Sequence, residues 1–431
     1  MFIYYLIVIL VLLTAGPFLL LIPKTRKGLG EKFGSVPAGI GPFSKKPIWF
    51  HCVSVGEFNA ALPLIKLFHE THPDIPIAVS TATATGQQQA KDKLGEWATV
   101  FYFPLDLPFA LNNWLKAINP GLVAIVETEI WPGFMHECAK RKIPVVVING
   151  CISPRSFKSY KKLSFFFGPV IRSFSYISAQ SPKNLERYRA LAGTEIAGSC
   201  PGNLKVDGLK PVTPERKAEI QAQLKLAPGD AVIVGGSTHE SEESVLLSVY
   251  KRLITERSWD GSFVRARLIL VPRHPERFEA VATLVKSMGL NPRLYSRSEG
   301  FESDNDVFIL DTIGQLSQYY CVATVAFVGG TLVPIGGHSL LEPYAYNVPV
   351  ICGKYIDKTR DIANGLLDKN ALALVNDGQE LYFHLALLLK DEARRKLIGE
   401  SGNSYLAESQ GAVKKTMAVL EKQLGIVYEL G

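Results

Sequence analysis

Carboxylates that follow short apolar runs are the residues of this chain best placed to do chemistry. In His51-Cys52-Val53-Ser54-Val55-Gly56-Glu57 the run ends in a glycine that permits a tight turn, and Glu57 falls where a strand would hand over to a helix. Ligands of open parallel sheets bind outside the carboxyl ends of strands, which makes Glu57 a candidate general base. The competing reading is a carboxylate that only complements the positive end of a helix, worth about 0.3–1 kcal/mol. Glu127-Thr128-Glu129-Ile130-Trp131-Pro132 also follows an apolar run. Its carboxylates can diverge, one facing a ligand and the other taking hydrogen bonds from loops. They could instead serve glycoside hydrolysis, a chemistry fixed by separation in space rather than in sequence. Gly202-Asn203-Leu204-Lys205-Val206-Asp207 adds Lys205, either a phosphate ligand or a solvated charge.

The second half of the chain is richer in glycine and cations. Gly235-Gly236-Ser237-Thr238-His239-Glu240 lies between an apolar run and an amphipathic one, where backbone N–H groups and a helix dipole can hold a phosphate. Pro272-Arg273-His274-Pro275-Glu276-Arg277 supplies guanidinium groups, for a ligand or for solvent. The stretch from Gly329 to Pro343 reads as a glycine-rich loop opening a helix, with donors for phosphate and Glu342 for vicinal ribose hydroxyls. Glycine pairs serve tight turns equally well. Neither GxGxxG nor GxxxxGK[ST] is present, which argues against a dehydrogenase and a P-loop ATPase.

The formal charge of +7 over 431 residues is modest, and no arginine-rich tract or zinc-ligand spacing accompanies it. Nucleic acid is therefore not called for, whereas anionic lipid or phosphate fits. Cys52, Cys138, Cys151, Cys200, Cys321 and Cys352 stand singly, without CxxC or a histidine at metal spacing, and read as reduced structural thiols. Met1 to Ile22 carries no charged side chain, and Lys24, Arg26 and Lys27 follow it. As one helix it would span roughly 33 Å, so the expectation is a retained transmembrane anchor with the rest of the chain in the cytoplasm. Gly16-Pro17 leaves room for a hairpin in the membrane surface instead.

Elements that could position these residues follow in order. Runs at 48–53, 77–81, 100–103, 122–126, 144–148 and 176–179 are nearly continuous in apolar character, and amphipathic stretches such as 59–69 and 109–117 separate them. That progression predicts a doubly wound parallel sheet. Prolines 211, 214 and 228 interrupt it, and strands resume at 231–234, 267–271, 307–310, 324–328 and 349–351. The segment 296–306 reads as an acidic surface loop. The expected organisation is an anchor over 1–22, a Rossmann-like domain over 23–208, a linker over 209–230, a second Rossmann-like domain over 231–410 and a last helix over 411–431.

Taken together, SVGE (54–57), ETEIWP (127–132), GNLKVD (202–207), STHESEE (237–243), PRHPER (272–277) and FVGGTLVPIGGHSLLEP (327–343) resemble, in order, the Kdo transferases that attach 3-deoxy-D-manno-oct-2-ulosonic acid to a lipid A precursor. The resemblance implies a GT-B glycosyltransferase, with the acceptor on the first domain and the CMP-Kdo donor on the second. It implies Glu57 as general base and Glu127 and Lys205 as stabilisers of the transition state. Pro272, Arg273, Ile313, Gly314, Gln315, Ser339, Leu340, Leu341 and Glu342 match the segments that hold CMP. The family commonly has Asn where Ser339 stands. Inverting transfer without a metal or a cofactor, at the bacterial inner membrane, is the expectation. Another GT-B sugar-nucleotide enzyme, such as a UDP-sugar transferase or epimerase, and a non-catalytic membrane-bound carbohydrate-binding protein are the alternatives.

Overall fold

The computed structural model describes residues 1–19, 26–256, 265–297 and 299–426. It divides into a first unit, Met1–Gly208 with the chain from Ser409 onward, and a second unit, Leu209–Glu408. Each holds a seven-stranded sheet. In the first unit the strands are β1 (Ile48–Cys52), β2 (Ile77–Thr81), β3 (Ala98–Tyr102), β4 (Leu122–Val126), β5 (Val145–Gly150), β6 (Tyr176–Ala179) and β7 (Gly198–Ser199), in the order β3-β2-β1-β4-β5-β6-β7. In the second they are β8 (Asp230–Thr238), β9 (Arg265–Pro272), β10 (Asn291–Leu294), β11 (Asp306–Ile309), β12 (Val325–Val328), β13 (Val350–Gly353) and β14 (Leu372–Val375), in the order β10-β11-β9-β8-β12-β13-β14. Every pairing is parallel.

Sequence explains this through burial. β1, β2, β4 and β5 are buried at every position, as strands covered by helices on both faces must be. Neighbours along β1 serve opposite faces. Trp49 packs with Phe101, Trp114 and Phe134, while Phe50 packs with Phe58, Leu64 and Phe68. The last helix, Ala412–Leu424, puts Ala412, Met417 and Leu420 into the second of these clusters. Asp207 caps it, accepting from the N–H groups of Gly411 (2.9 Å), Ala412 (3.3 Å) and Val413 (2.7 Å). GNLKVD thus ends on a residue that ties the returning chain to the first unit.

Several expectations need correction. The segment 209–230 is no free linker: helix Pro214–Leu224 buries Ile220 and Leu224 in the second unit, because its apolar positions recur at helical spacing. Strand β8 continues through Gly235 and Gly236, which sequence placed in a loop. These glycines answer close packing, since a Cβ on Gly236 would lie 2.1 Å from the Tyr320 hydroxyl. The acidic loop at 296–306 is organised around buried Asp306, which accepts from the N–H groups of Glu302 (2.6 Å) and Ser303 (2.8 Å) and pairs with Arg293 at 3.1 Å. Strands β7, β10 and β14 went unforeseen, being short or polar.

The spanning helix over 1–22 is also corrected. Helix Phe2–Leu19 has 18 residues, about 27 Å at 1.5 Å per residue, against roughly 30 Å of hydrocarbon. Among the described residues no helix is long and apolar enough to cross a membrane. Residues 20–22 of the expected anchor lie outside the described residues. Tyr4 turns onto the first unit, where its hydroxyl donates to Asp106 Oδ2 at 2.5 Å and its ring lies 5.8 Å from that of Phe166.

Candidate active site

In the first unit, β1 and β4 are neighbours although β2 and β3 come between them in the chain, so strand order reverses there. The carboxyl ends flanking such a reversal are where open sheets bind ligands. Glu57 leaves β1 and Glu127 leaves β4. Ser54 caps helix Val55–Thr71, accepting from Glu57 N–H at 3.3 Å. The Glu57 carboxylate folds back over that turn, accepting from Val53 N–H at 2.7 Å and from the Ser54 hydroxyl at 3.0 Å. The capping reading and the base reading thus describe one side chain, because each carboxylate oxygen keeps a lone pair free.

Glu127 adopts a left-handed conformation, φ 63, which costs a non-glycine residue roughly 1–3 kcal/mol. Two bonds hold it: its N–H donates to Ile148 O at 2.9 Å and its carbonyl accepts from buried Tyr188 at 3.0 Å. So placed, its carboxylate meets Lys205 Nζ at 2.7 Å. Asn149, at the end of β5, accepts from Leu204 N–H at 2.9 Å and faces Glu127 Oε1 at 3.5 Å, joining the helix that carries Lys205 to the Glu127 loop. Sequence reasoning missed Asn149. An Asn-Gly pair ending a buried strand was the available signal, since Asn tolerates the left-handed region it occupies here, φ 53.

Burial pushes the Glu57 carboxyl above its ordinary value; bonds from Val53 and Ser54 oppose this, Glu127 adds to it and Lys205 subtracts. Burial, then the charges of Glu57 and Glu127, push Glu129 up to about 7. Glu57 and Glu129, both raised, hold a proton more readily than ordinary carboxylates, while Lys205 beside Glu127 can meet developing negative charge.

The second unit also reverses its strand order, between β8 and β12, although here β11 is inserted between β10 and β9. Because β11, β9, β8 and β12 are consecutive in the sheet, their carboxyl-end loops share one edge. Ile313-Gly314-Gln315 follows β11, Pro272 and Arg273 close β9, and Ser339 to Glu342 follow β12. The sheet therefore collects segments that the chain keeps far apart. Pro272 is buried and Arg273 exposed, its N–H donating to Thr238 O at 3.0 Å. Ile313 is exposed, Gly314 has φ 83, and Gln315 donates to the Tyr295 hydroxyl at 3.0 Å. Leu340 and Leu341 are core residues. Burial raises the Glu342 carboxyl, while Ser339, through a hydrogen bond, and Arg273, through its charge, lower it. Ser339 thus bonds within its own loop where the family's Asn was expected.

The glycine-rich loop works differently from expectation. Glu242, fully buried, accepts from four backbone N–H groups: His239 (2.9 Å), Gly330 (2.7 Å), Thr331 (2.9 Å) and Leu332 (2.9 Å). Donors assigned to phosphate at 330–332 are therefore already occupied by a carboxylate. The element after the loop is a short 3-10 helix, Pro343–Tyr346, rather than an α-helix. Arg277 is likewise consumed, forked on Glu243 at 2.8 and 3.2 Å. Arg273 stays exposed, and its charge and that of Lys358 both act on the neighbouring His338. Among the described residues no His, Cys, Asp and Glu side chains gather to hold a metal ion.

A family model described as "3-Deoxy-D-manno-octulosonic-acid transferase (kdotransferase)" matches residues 27–208. A 3-deoxy-D-manno-octulosonic acid transferase of Haemophilus influenzae is 31% identical over 404 residues, covering 93% of this chain and 92% of its own. One of Rickettsia felis is 30% identical over 385 residues, 89% of this chain and 80% of its own. Among solved structures, Anabaena Alr3699/HepE in complex with UDP covers 87% of this chain and 99% of its own, with a TM-score of 0.61 at 14% identity, a likeness of fold alone.

Proposed function

The chain belongs to the 3-deoxy-D-manno-octulosonic acid (Kdo) transferase family, and from that premise we propose that it transfers Kdo from CMP-Kdo to a hydroxyl of a lipid A precursor, with inversion. The observation that carries the reading is the arrangement at the β1/β4 reversal: buried Glu57, its carboxyl raised by burial, in the electrostatic company of the Lys205–Glu127 pair. The acceptor oxygen attacks the ketose anomeric carbon, the bond from that carbon to the phosphate oxygen breaks, and CMP departs with the electron pair. Glu57 takes the hydroxyl proton. Lys205 in the first unit and Arg273 in the second are the cations offered to negative charge, which supports transfer without a metal. The second unit takes the nucleotide on Pro272, Arg273, Ile313 to Gln315 and Ser339 to Glu342.

Turnover of CMP-Kdo with a dispersed lipid A precursor tests the reading, with chelator present throughout. Expected is release of CMP with Kdo added to the acceptor; binding of UDP but not CMP would favour a UDP-sugar enzyme, and loss of activity on chelation would overturn the metal-free step.

The acceptor's acyl chains place the reaction at a membrane, and we read the localisation as the cytoplasmic face of the bacterial inner membrane. Helix Phe2–Leu19 supports this by exposing Phe2, Ile3, Leu6, Leu10 and Leu13. Residues 155–167, RSFKSYKKLSFFF, interleave basic and aromatic side chains and divide by residue. Phe157, Tyr160 and Phe167 pack on the core, whereas Leu163 and Phe165 are exposed beside the exposed Lys158, Lys161 and Lys162. Such a surface suits anionic lipid headgroups with apolar side chains in the interface. Vesicle sedimentation after deletion of residues 1–23 should show weaker, salt-sensitive binding, abolished when the three lysines become Gln; unchanged binding would remove this surface from the membrane.

A further inference from the structure

Nucleotide holding as read above uses none of the three histidines that crowd the glycine-rich loop of the second unit. His239 Nε2 and His338 Nε2 lie 2.8 Å apart with their rings 2° from parallel, and the His274 ring stands edge-on to His239 at 5.3 Å. The loop makes room for this contact at Gly330, where a Cβ would meet His338 Cδ2 at 3.1 Å. Two imidazoles joined through Nε2 share one proton: one ring donates and the other presents a bare nitrogen. The pair is neutral with the rings in opposite tautomers, or singly charged with an imidazolium donating to its partner. A further proton would break the contact.

The surroundings decide between these states. From the β9 loop come Arg273, His274 and Arg277, from the turn before helix Arg360–Asp368 comes Lys358, and from the first turn of helix Glu242–Thr255 come Glu242 and Glu243. The acidic neighbours are committed, Glu242 to its four N–H groups and Glu243 to the Arg277 fork. His274 Nδ1 faces Glu276 at 3.7 Å. Burial, then Arg273, His239, Lys358 and His274, hold His338 down at about 4, and burial lowers His239. The empty pair is therefore neutral at pH 7.

We propose that the His239–His338 pair is an anion subsite that takes one proton from solvent when the phosphate of a cytidine nucleotide settles beside Arg273 and Lys358. The inference rests on the donor reading given above. A phosphate dianion opposes both the burial and the cationic neighbours that keep the pair neutral, so the charged form becomes favourable. The shared imidazolium then adds a third cation without displacing either ring. By linkage, nucleotide affinity falls as pH rises between the free and bound titrations of the pair, with a slope approaching tenfold per pH unit.

Calorimetry of CMP binding at pH 7.5, in buffers matched for pH but differing in ionisation enthalpy, counts the protons taken up. The free CMP phosphate is already dianionic there, its second pKa being about 6, so uptake reports on the protein. The expected result is uptake of up to one proton by the native protein and by His274→Gln. It should be lost in His239→Gln and His338→Gln, which still bind CMP roughly tenfold more weakly. Cytidine, which lacks the phosphate, should bind without uptake. No buffer dependence in the native protein, uptake that persists in both pair variants, or uptake with cytidine would overturn the proposal. Absence of any CMP binding to the native protein would instead overturn the donor reading itself, and the subsite with it.

Discussion

Both sheets are parallel, seven-stranded and reverse their strand order beside the first strand, and they use their carboxylates in opposite ways. At the β8/β12 reversal Glu242 spends its lone pairs on four backbone N–H groups and Glu243 on an arginine fork, so both are fixed parts of the scaffold. At the β1/β4 reversal Glu127 pairs with Lys205, and Glu57 and Glu129 are pushed upward by burial and by the charge of neighbouring carboxylates. A carboxylate saturated by donors shapes a loop, whereas one left short of them can exchange a proton. The second unit accordingly presents cations to a ligand, and the first presents bases.

The largest effect that would break this comparison is expected from Glu57→Gln. It should lower the transfer rate by about 10²–10⁴-fold, the usual worth of a general base, and leave CMP affinity unchanged by calorimetry. A variant that kept its rate would place Glu57 with Glu242 as a capping residue only. Glu242→Ala should do the converse and unfold the second unit more easily, by at least about 3 kcal/mol in urea, because each stranded N–H costs roughly 1–3 kcal/mol. Unaltered stability would mean that the loop does not depend on it. Lys205→Met should cost transfer on the order of 10²-fold and move the acid limb of the pH–rate profile upward. The sign follows from the loss of a cation that lowers Glu57, whose carboxylate must be unprotonated to act. An unmoved limb would separate Lys205 from the base.

Glu129→Gln should give the smallest change. With its folded carboxyl near 7 against an ordinary 4.5, the folded first unit binds a proton that the unfolded chain has released, so stability declines as pH rises from about 4.5 to 7. The substitution should flatten that decline, as read from thermal unfolding across the same range. A decline of equal steepness in the variant would assign it to another group.

Sequence by itself determined the doubly wound layout, since strands buried on both faces must read as unbroken apolar runs; 77–81, 122–126 and 176–179 match β2, β4 and β6 at both ends. It also offered Glu57, Glu127 and Arg273 as candidates, because each follows an apolar run closely, whereas Lys205 became one through the family resemblance. Tertiary structure alone decided which charges remain available. Glu242 and Glu57 each stand at the start of a helix after the first strand of their sheet, and local sequence gives no ground for ranking one above the other. The loop that closes over Glu242 comes from β12, far along the chain, and lends it three N–H groups. Asn149, likewise, is tied to Lys205 through the neighbouring Leu204 N–H and through Glu127, partners that the fold delivers to it. Hydrogen-bond saturation and desolvation are set by partners distant in sequence, and they separate a scaffold carboxylate from a base.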